Sequence, residues 1–417
     1  MTALLPAASD RTNRRPLQGL LTATGASVAA NAMVTVLVPW LVLTRTGSPA
    51  QAGLVGAVAL SAAVPALVAG GPLIDRWGRR RVAAGADLLS AAAVAALPLL
   101  DLTVGLSLVS TLALVALGAL FDGPGAAARE SSRPDVAAAG GSTVDDVNAR
   151  GEAVEELGEI AGSALAGVGI GIVGALASLW VAAGLLLGAA AVTWFTFPPD
   201  PARVGRSEPY LHAARAGLVA VWQDRTVRAA ALLGTVAMVF FAPLTLILTA
   251  HLAARGAPGA LAAVTAALGA GAIIGALGYG ALASRVRRRP VLLSGLALAA
   301  TGLALMALLP STAVLATLAL FTGVALGPLG PVLAAVVQAR AAPELRGRVV
   351  STQWSLALVA SPLGVLGAGL VLESAGPAAA LLTAACGLLA TAVFAAASPG
   401  LRRIETHHLT ATEQEAS

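Results

Sequence analysis

The sequence predicts an all-α membrane protein: twelve transmembrane helices in two pseudo-symmetric six-helix bundles. Three observations predict it. The chain is 57% hydrophobic and 11% charged, whereas soluble domains carry roughly 25% charged residues. So much apolar surface cannot be hidden in a water-soluble core, and lipid must be the solvent for most of it. Apolar stretches long enough to cross a bilayer as helices, roughly 20 residues each, recur from end to end. Finally, a charge-dense run, Gly71-Pro72-Leu73-Ile74-Asp75-Arg76-Trp77-Gly78-Arg79-Arg80-Arg81, has a second version at 280–289 that aligns without a gap at an offset of 209 residues. A repeat of half the chain length implies two related bundles.

The predicted spans of the first half are 17–43, 51–74, 82–100, 104–127, 153–175 and 178–197. Those of the second half are 227–250, 260–283, 290–309, 312–338, 351–372 and 377–397. The runs are continuous and rich in Ala, Leu and Gly, without the alternation of strands. The 46 glycines suit helices that approach one another closely in lipid. The domain layout follows: a tail over 1–16, a bundle over 17–197, a linker over 198–226, a bundle over 227–397 and a second tail over 398–417. The linker opens with Pro198-Pro199-Asp200-Pro201, which breaks the preceding helix. His212 to Asp224 then reads as an amphipathic helix with Leu211, Leu218, Val219 and Trp222 apolar, suited to lie on the inner membrane surface among lipids. The polar start of the chain has no small-residue cleavage site after a short apolar core, so the first span reads as retained. Residues 128–151 read as a polar loop.

All 26 basic residues are arginine, and their distribution orients the chain. With both termini in the cytoplasm, only Arg45 and Arg255 fall outside, in keeping with the positive-inside bias. The expected location is the cell (inner) membrane, multi-pass. The same bias explains the net charge of +5 without a nucleic-acid partner, since no basic, aromatic-interleaved soluble domain is present. The single cysteine, Cys386, excludes an intramolecular disulfide, and no ligand cluster has metal spacing. A chain without lysine has no nucleotide-binding loop of the Gly-rich, Lys-containing type. No catalytic triad stands out. The expectation is a non-enzyme with no cofactor and no metal.

The 71–81 run resembles the signature loop of the major facilitator superfamily, placed between spans 2 and 3 as in that family, with every motif position filled. Phe121-Asp122-Gly123-Pro124 at the end of span 4, with Asn148-Ala149 before span 5, is similar to its twelve-span efflux branch, the group of macrolide and siderophore exporters. So is Pro343-Glu344-Leu345-Arg346-Gly347-Arg348-Val349 between spans 10 and 11. The resemblance covers residues 17–397. Two departures from drug–proton antiporters of related branches stand out: span 4 has no arginine before Arg129, and span 5 carries Gly162-Ser163 in place of a Gly-Pro pair. The resemblance implies the major facilitator fold, a substrate site between the bundles near the midplane, and a gating role for Gly71, Asp75, Arg76, Gly78, Arg79 and Arg80. In the second copy Ser284 stands where Asp75 stands in the first. The plainer reading of the arginines is a topogenic cluster, but an acid adds nothing to that signal.

Charge inside a membrane is costly and usually functional. Asn31 lies near the middle of span 1 with Thr35 one turn on. Asp87 lies in span 3. Asp122 lies in span 4, with Arg129 two turns later. Span 5 opens with Glu152, Glu155, Glu156 and Glu159, whose spacings gather three of the four on one helical face. A carboxylate in a poorly solvated cavity can load and release protons, which makes Asp122, Glu159 and Glu156 the proton-coupling candidates. For the first acids of span 5 the plainer reading is interfacial: they favour the helix N-terminus and pair with Arg129 or Arg150. Asn31, Thr35, Phe240 and Phe241 are the substrate-cavity candidates, although single aromatics are more often packing residues. The Gly327-Pro328-Leu329-Gly330-Pro331 stretch should bend span 10.

These readings converge on secondary export of a lipophilic small molecule, such as an antibiotic, natural product or siderophore, by a monomer using proton antiport and alternating access. Few polar groups in the spans argue against a sugar-type site, which needs several converging ones. The rivals are a symporter or facilitator importing a small metabolite, and a non-transporting receptor on the same scaffold.

Overall fold

The computed structural model describes residues 15–197, 210–283, 285–340 and 346–402. All regular structure among them is helical: α1 (Arg15–Thr46), α2 (Pro49–Trp77), α3 (Arg79–Thr103), α4 (Leu108–Gly140), α5 (Val144–Ile172), α6 (Ala175–Thr196), α7 (Tyr210–Gln223), α8 (Arg225–Phe241), α9 (Leu244–Ala254), α10 (Pro258–Leu282), α11 (Arg288–Met306), α12 (Thr312–Leu326), α13 (Leu329–Arg340), α14 (Arg346–Ala397) and α15 (Pro399–Arg402). The tails before residue 15 and after 402, the start of the linker, Ser284 and residues 341–345 lie outside the described residues.

Ten helical stretches are long and apolar enough to cross a bilayer. One of them, α14, crosses twice, because Gly376 (φ 82) reverses its path. The acid-bearing α5 completes the twelve expected spans among the described residues. Local chemistry sets the boundaries. Ser48 caps α2, its hydroxyl accepting from the Gln51 N–H at 3.2 Å, with Pro49 at the first helical position, where it costs no hydrogen bond. Asp224 caps α8 by accepting from the N–H groups of Thr226 and Val227 at 2.6 and 3.0 Å. Gly78 (φ 87) turns the chain between α2 and α3, a left-handed position that excludes most other residues; its counterpart at the 209-residue offset, Arg287, has φ -78 and needs no glycine.

Two spans are broken. Span 10 divides into α12 and α13 around Gly327-Pro328, as the sequence predicted. The other break is new: α8 ends at Phe241 and α9 starts at Leu244, because Pro243 lacks the N–H that would continue the ladder. The predicted loop 128–151 is mostly helix. Its first part extends α4 to Gly140, and α5 begins at Val144. The polar residues that suggested a loop, Arg129 and Arg133, are buried among helices.

In the first half α1 packs against α5 and α6, α3 against α4 and α6, and α2 against α4. In the second, α10 packs on α12, and α14 on α8 and α11. The halves meet where α2 lies along α14 and α5 along α10. The outward faces are apolar, with Phe195, Ile172, Leu277 and Leu363 among the most exposed, as lipid contact requires. Arg80 and Arg289 correspond at the 209-residue offset. Arg80 stacks over the Trp194 ring of α6 at 4.7 Å, and Arg289 donates to the Ala396 carbonyl at the end of α14 at 2.7 Å.

Small residues decide how closely α10 and α12 cross. Gly271 and Gly275 of α10 face Gly323 of α12 and Gly327 at its end. A Cβ on Gly275 would lie 2.2 Å from the Val324 carbonyl oxygen, and one on Gly323 2.1 Å from that of Leu268. The backbones meet there because no side chain intervenes, the packing mode that lipid leaves available. Gly275→Val is expected to cost about 1–3 kcal/mol through overpacking, read as a lower midpoint of thermal unfolding in detergent. An unchanged midpoint would show that the crossing relaxes freely.

Candidate functional site

A cavity of ≈ 240 Å³ lies between the halves, and its lining is mostly apolar: Val55, Leu60, Leu97, Leu246 and Val365 contribute, with Asn31, Thr35, Ser90, Asp122 and Thr245 as polar points. Four of those five polar residues belong to α1, α3 and α4 of the first half, and the wall supplied by the second half is apolar apart from Thr245. Asp122 is the single charged residue of the lining. The Ser90 hydroxyl donates to its Oδ1 at 2.8 Å. The sequence-predicted trio Asn31, Thr35 and Asp122 is therefore brought together. Ser90 and Thr245 were missed, since a lone hydroxyl in a membrane helix carries little signal, and the partner of Ser90 lies on another helix.

Phe240 and Phe241, read from the sequence as cavity residues, are not in this lining. The Phe240 ring packs on α14, where a Cβ on Gly387 would lie 2.2 Å from a ring carbon. Both phenylalanines end α8 just before the Pro243 break, and the residues past their position, Ala242, Thr245 and Leu246, face the cavity instead.

Behind the cavity wall is a closed ionic network. Arg129 Nη1 donates to both carboxylate oxygens of Asp87, at 2.8 and 3.0 Å. Its Nη2 donates to the Ser27 hydroxyl at 2.9 Å, and that hydroxyl donates to Asp87 at 2.9 Å. The ion-paired side chains are 6% and 4% exposed. Three helices, α1, α3 and α4, are thereby tied by groups whose needs are met internally, which is the condition for burying charge in a low-dielectric interior. The expected pairing of Arg129 with the acids of α5 is not what forms: Arg133 takes Glu155 at 2.6 Å, and Arg150 takes Asp146 at 3.0 Å.

The remaining acids of α5 do not line the cavity. Leu165, Val168 and Ile172 expose the outward side of this helix. At about 100° per residue, Glu152, Glu155 and Glu159 fall away from that side of the helix; Glu152, Glu156 and Glu159 are exposed and Glu155 is half-buried. In the gating motif, Gly71 sits in the last turns of α2, and Asp75 and Arg76 are exposed near its end. Arg79 pairs with Asp135 of α4, and Arg80 stacks on Trp194. Both arginine contacts stay within the first half. Ser284, the counterpart of Asp75, lies outside the described residues.

This architecture has known counterparts. A family model described as Major Facilitator Superfamily matches residues 20–279 and 244–416. "Multidrug efflux pump Tap" of Mycobacterium tuberculosis is 34% identical over 400 residues, covering 94% of this chain and 96% of the relative. The protein of the same name from Mycolicibacterium fortuitum is 35% identical over 404 residues, with 94% and 98% covered. Among solved structures, a single-substitution variant of the nucleoside transporter NupG superposes with a TM-score of 0.77 at 15% identity, covering 91% of this chain and 99% of that one. The human organic anion transporter MFSD10 (TETRAN) gives 0.62 at 18%, covering 91% and 99%. Twelve spans in two related halves, a repeated arginine loop, a cavity between the halves and a matched sequence over nearly the whole length lead to one assignment: the chain belongs to the major facilitator superfamily.

Proposed function

We propose that this transporter, which is not an enzyme, exports lipophilic, drug-like small molecules from the cytoplasm by alternating access, with protons moving the opposite way. The observation that carries the reading is the cavity itself. It is apolar enough for an amphipathic solute and holds one carboxylate, Asp122, where a proton and a solute can be bound in turn. The names of the relatives favour a broad drug-like substrate range. Asp122 is the principal proton site, with Glu159 and Glu156 serving the route to it, and Asn31 and Thr35 position the solute. Residues 17–197 and 227–397 act as the two rocking bodies, joined by the linker 198–226, with both termini cytoplasmic and the monomer as the working unit. The face of α7 that exposes Leu218, Val219 and Trp222 rests among lipid headgroups. Asp75 and Arg76 close the cytoplasmic side once during each cycle.

The test is a drug-panel efflux measurement in cells that express the protein, with and without a proton gradient. Expressing cells should accumulate less of at least one lipophilic drug, and collapse of the gradient should abolish the difference. Solute and protons moving in the same direction would instead establish the import symporter. Absence of any gradient-dependent flux across the panel would leave the receptor reading.

A further inference from the structure

At the end of the molecule away from the arginine loops, a carboxylate of one half bonds to the other. Glu373 of α14 accepts a hydrogen bond from the Ser48 hydroxyl at 2.5 Å and another from the Ala50 N–H at 3.0 Å. Both donors belong to the N-terminus of α2, in the other half. Ser48 is already the cap of that helix, and Ala50 offers one of the N–H groups that a helix start leaves without an internal partner. The carboxylate thus sits where the helix dipole is positive. The other charged groups at this end are engaged elsewhere: Arg45 holds Asp101 with two hydrogen bonds, and Arg255 lies beside His251 at 3.4 Å.

Directly beneath this contact the helices touch through glycine. A Cβ on Gly53 would lie 2.9 Å from the Gly369 Cα, and one on Gly56 3.0 Å from a Val365 methyl carbon. Gly56 and Val365 also line the cavity. On the other side of the interface, a Cβ on Gly167 of α5 would lie 2.9 Å from the Pro258 carbonyl oxygen of α10. The glycine seams allow contact but carry no directional bond. The Glu373 hydrogen bonds are a directional tie across the α2–α14 seam at this end of the molecule.

We propose that Glu373, Ser48 and Ala50 form the latch of the exit gate, and that its release is the event that lets the two halves part above the cavity. The proposal rests on the transport reading for the identity of this end as the exit. The latch has a built-in direction: the bonds form only when α2 and α14 are close, so they stabilise the exit-closed state and contribute nothing once the halves have separated. Glu373 is exposed, so solvent screens its two charge-assisted bonds; they tilt the equilibrium toward closure and remain weak enough to be broken in each cycle.

The experiment reads access to the cavity from the exit side. Thr35→Cys in a Cys386→Ser background places one thiol in the lining, and a membrane-impermeant maleimide is applied outside intact cells. Adding Glu373→Ala should raise the labelling rate about tenfold; Glu373→Gln, which keeps an acceptor oxygen without the charge, should fall between. Ser48→Ala should give a smaller rise, and the double variant should label no faster than Glu373→Ala alone, because both changes remove one interaction. Labelling equal to that of the parent for both Glu373→Ala and Ser48→Ala overturns the latch, as do additive effects. If Glu373→Ala fails to insert, Ser48→Ala decides by itself. Labelling requires neither drug nor gradient. A protein that shows the shift but exports nothing therefore sinks the transport reading and leaves the latch, and the converse result does the reverse.

Discussion

Arg129→Met is expected to leave little folded protein, while Asp87→Leu combined with Arg129→Met restores much of it. The single change strands the Asp87 carboxylate, 4% exposed, with the Ser27 hydroxyl as its remaining donor. Breaking one side of a buried pair costs about 3–5 kcal/mol, whereas exchanging both partners for apolar side chains of similar volume is often neutral. For a marginally stable protein the first figure is most of the total. The measurement is the yield and thermal midpoint of the detergent-purified protein for the two single variants and the double. A single variant as stable as the parent would show that water reaches the network and solvates the orphaned charge. The double variant adds a second reading. If it folds yet transports poorly, the pair contributes to the cycle as well as to the fold.

Asp122→Asn is expected to spare the fold and remove gradient-driven export. The amide keeps an oxygen that can accept from Ser90, so the wall of the cavity is preserved. What disappears is the one group in the lining able to exchange a proton. A loss of about tenfold or more in the gradient-driven rate corresponds to an increment of ~1.4 kcal/mol or more. The variant should still bind drug and should lack the pH dependence of export expected of the parent. Glu159→Gln, outside the lining, should reduce the rate less. Retention of full gradient-driven export by Asp122→Asn would move the coupling role to α5.

Much of this was legible because lipid imposes simple rules on sequence. Twelve spans could be counted from apolar runs, and the 209-residue repeat exposed the two halves. Arg80 and Arg289, paired by the repeat, each reach the last span of their own half, Arg80 at Trp194 and Arg289 at the Ala396 carbonyl. The break in span 10 was also readable, because Gly-Pro pairs act on their own backbone. The Pro243 break was missed for the opposite reason: one proline in an apolar run is tolerated in many membrane helices, and its effect depends on what packs beside it. Here Gly364 of α14 lets the backbones close at that point, a Cβ there falling 1.9 Å from the Val239 carbonyl oxygen that Pro243 leaves without a donor.

By itself the sequence determined the solvent, the number of crossings, the internal duplication and the scarcity of intramembrane charge. Those properties follow from residue type, local period and comparison of the chain with itself, none of which needs to know which side chains meet. The tertiary structure decided the partners. Arg129 read as the close of span 4, facing the acids of α5; it lies inside α4 and takes Asp87, 42 residues away. Phe240 read as cavity wall and became packing, while Ser90 gained its role from Asp122 on the next helix. Glu373 had no reading until it was found 325 residues from Ser48 in sequence and 2.5 Å from it in space. Which side chains meet depends on the rotation and tilt of each helix about its neighbours, and that is fixed by close packing of glycines and carbonyls rather than by hydropathy.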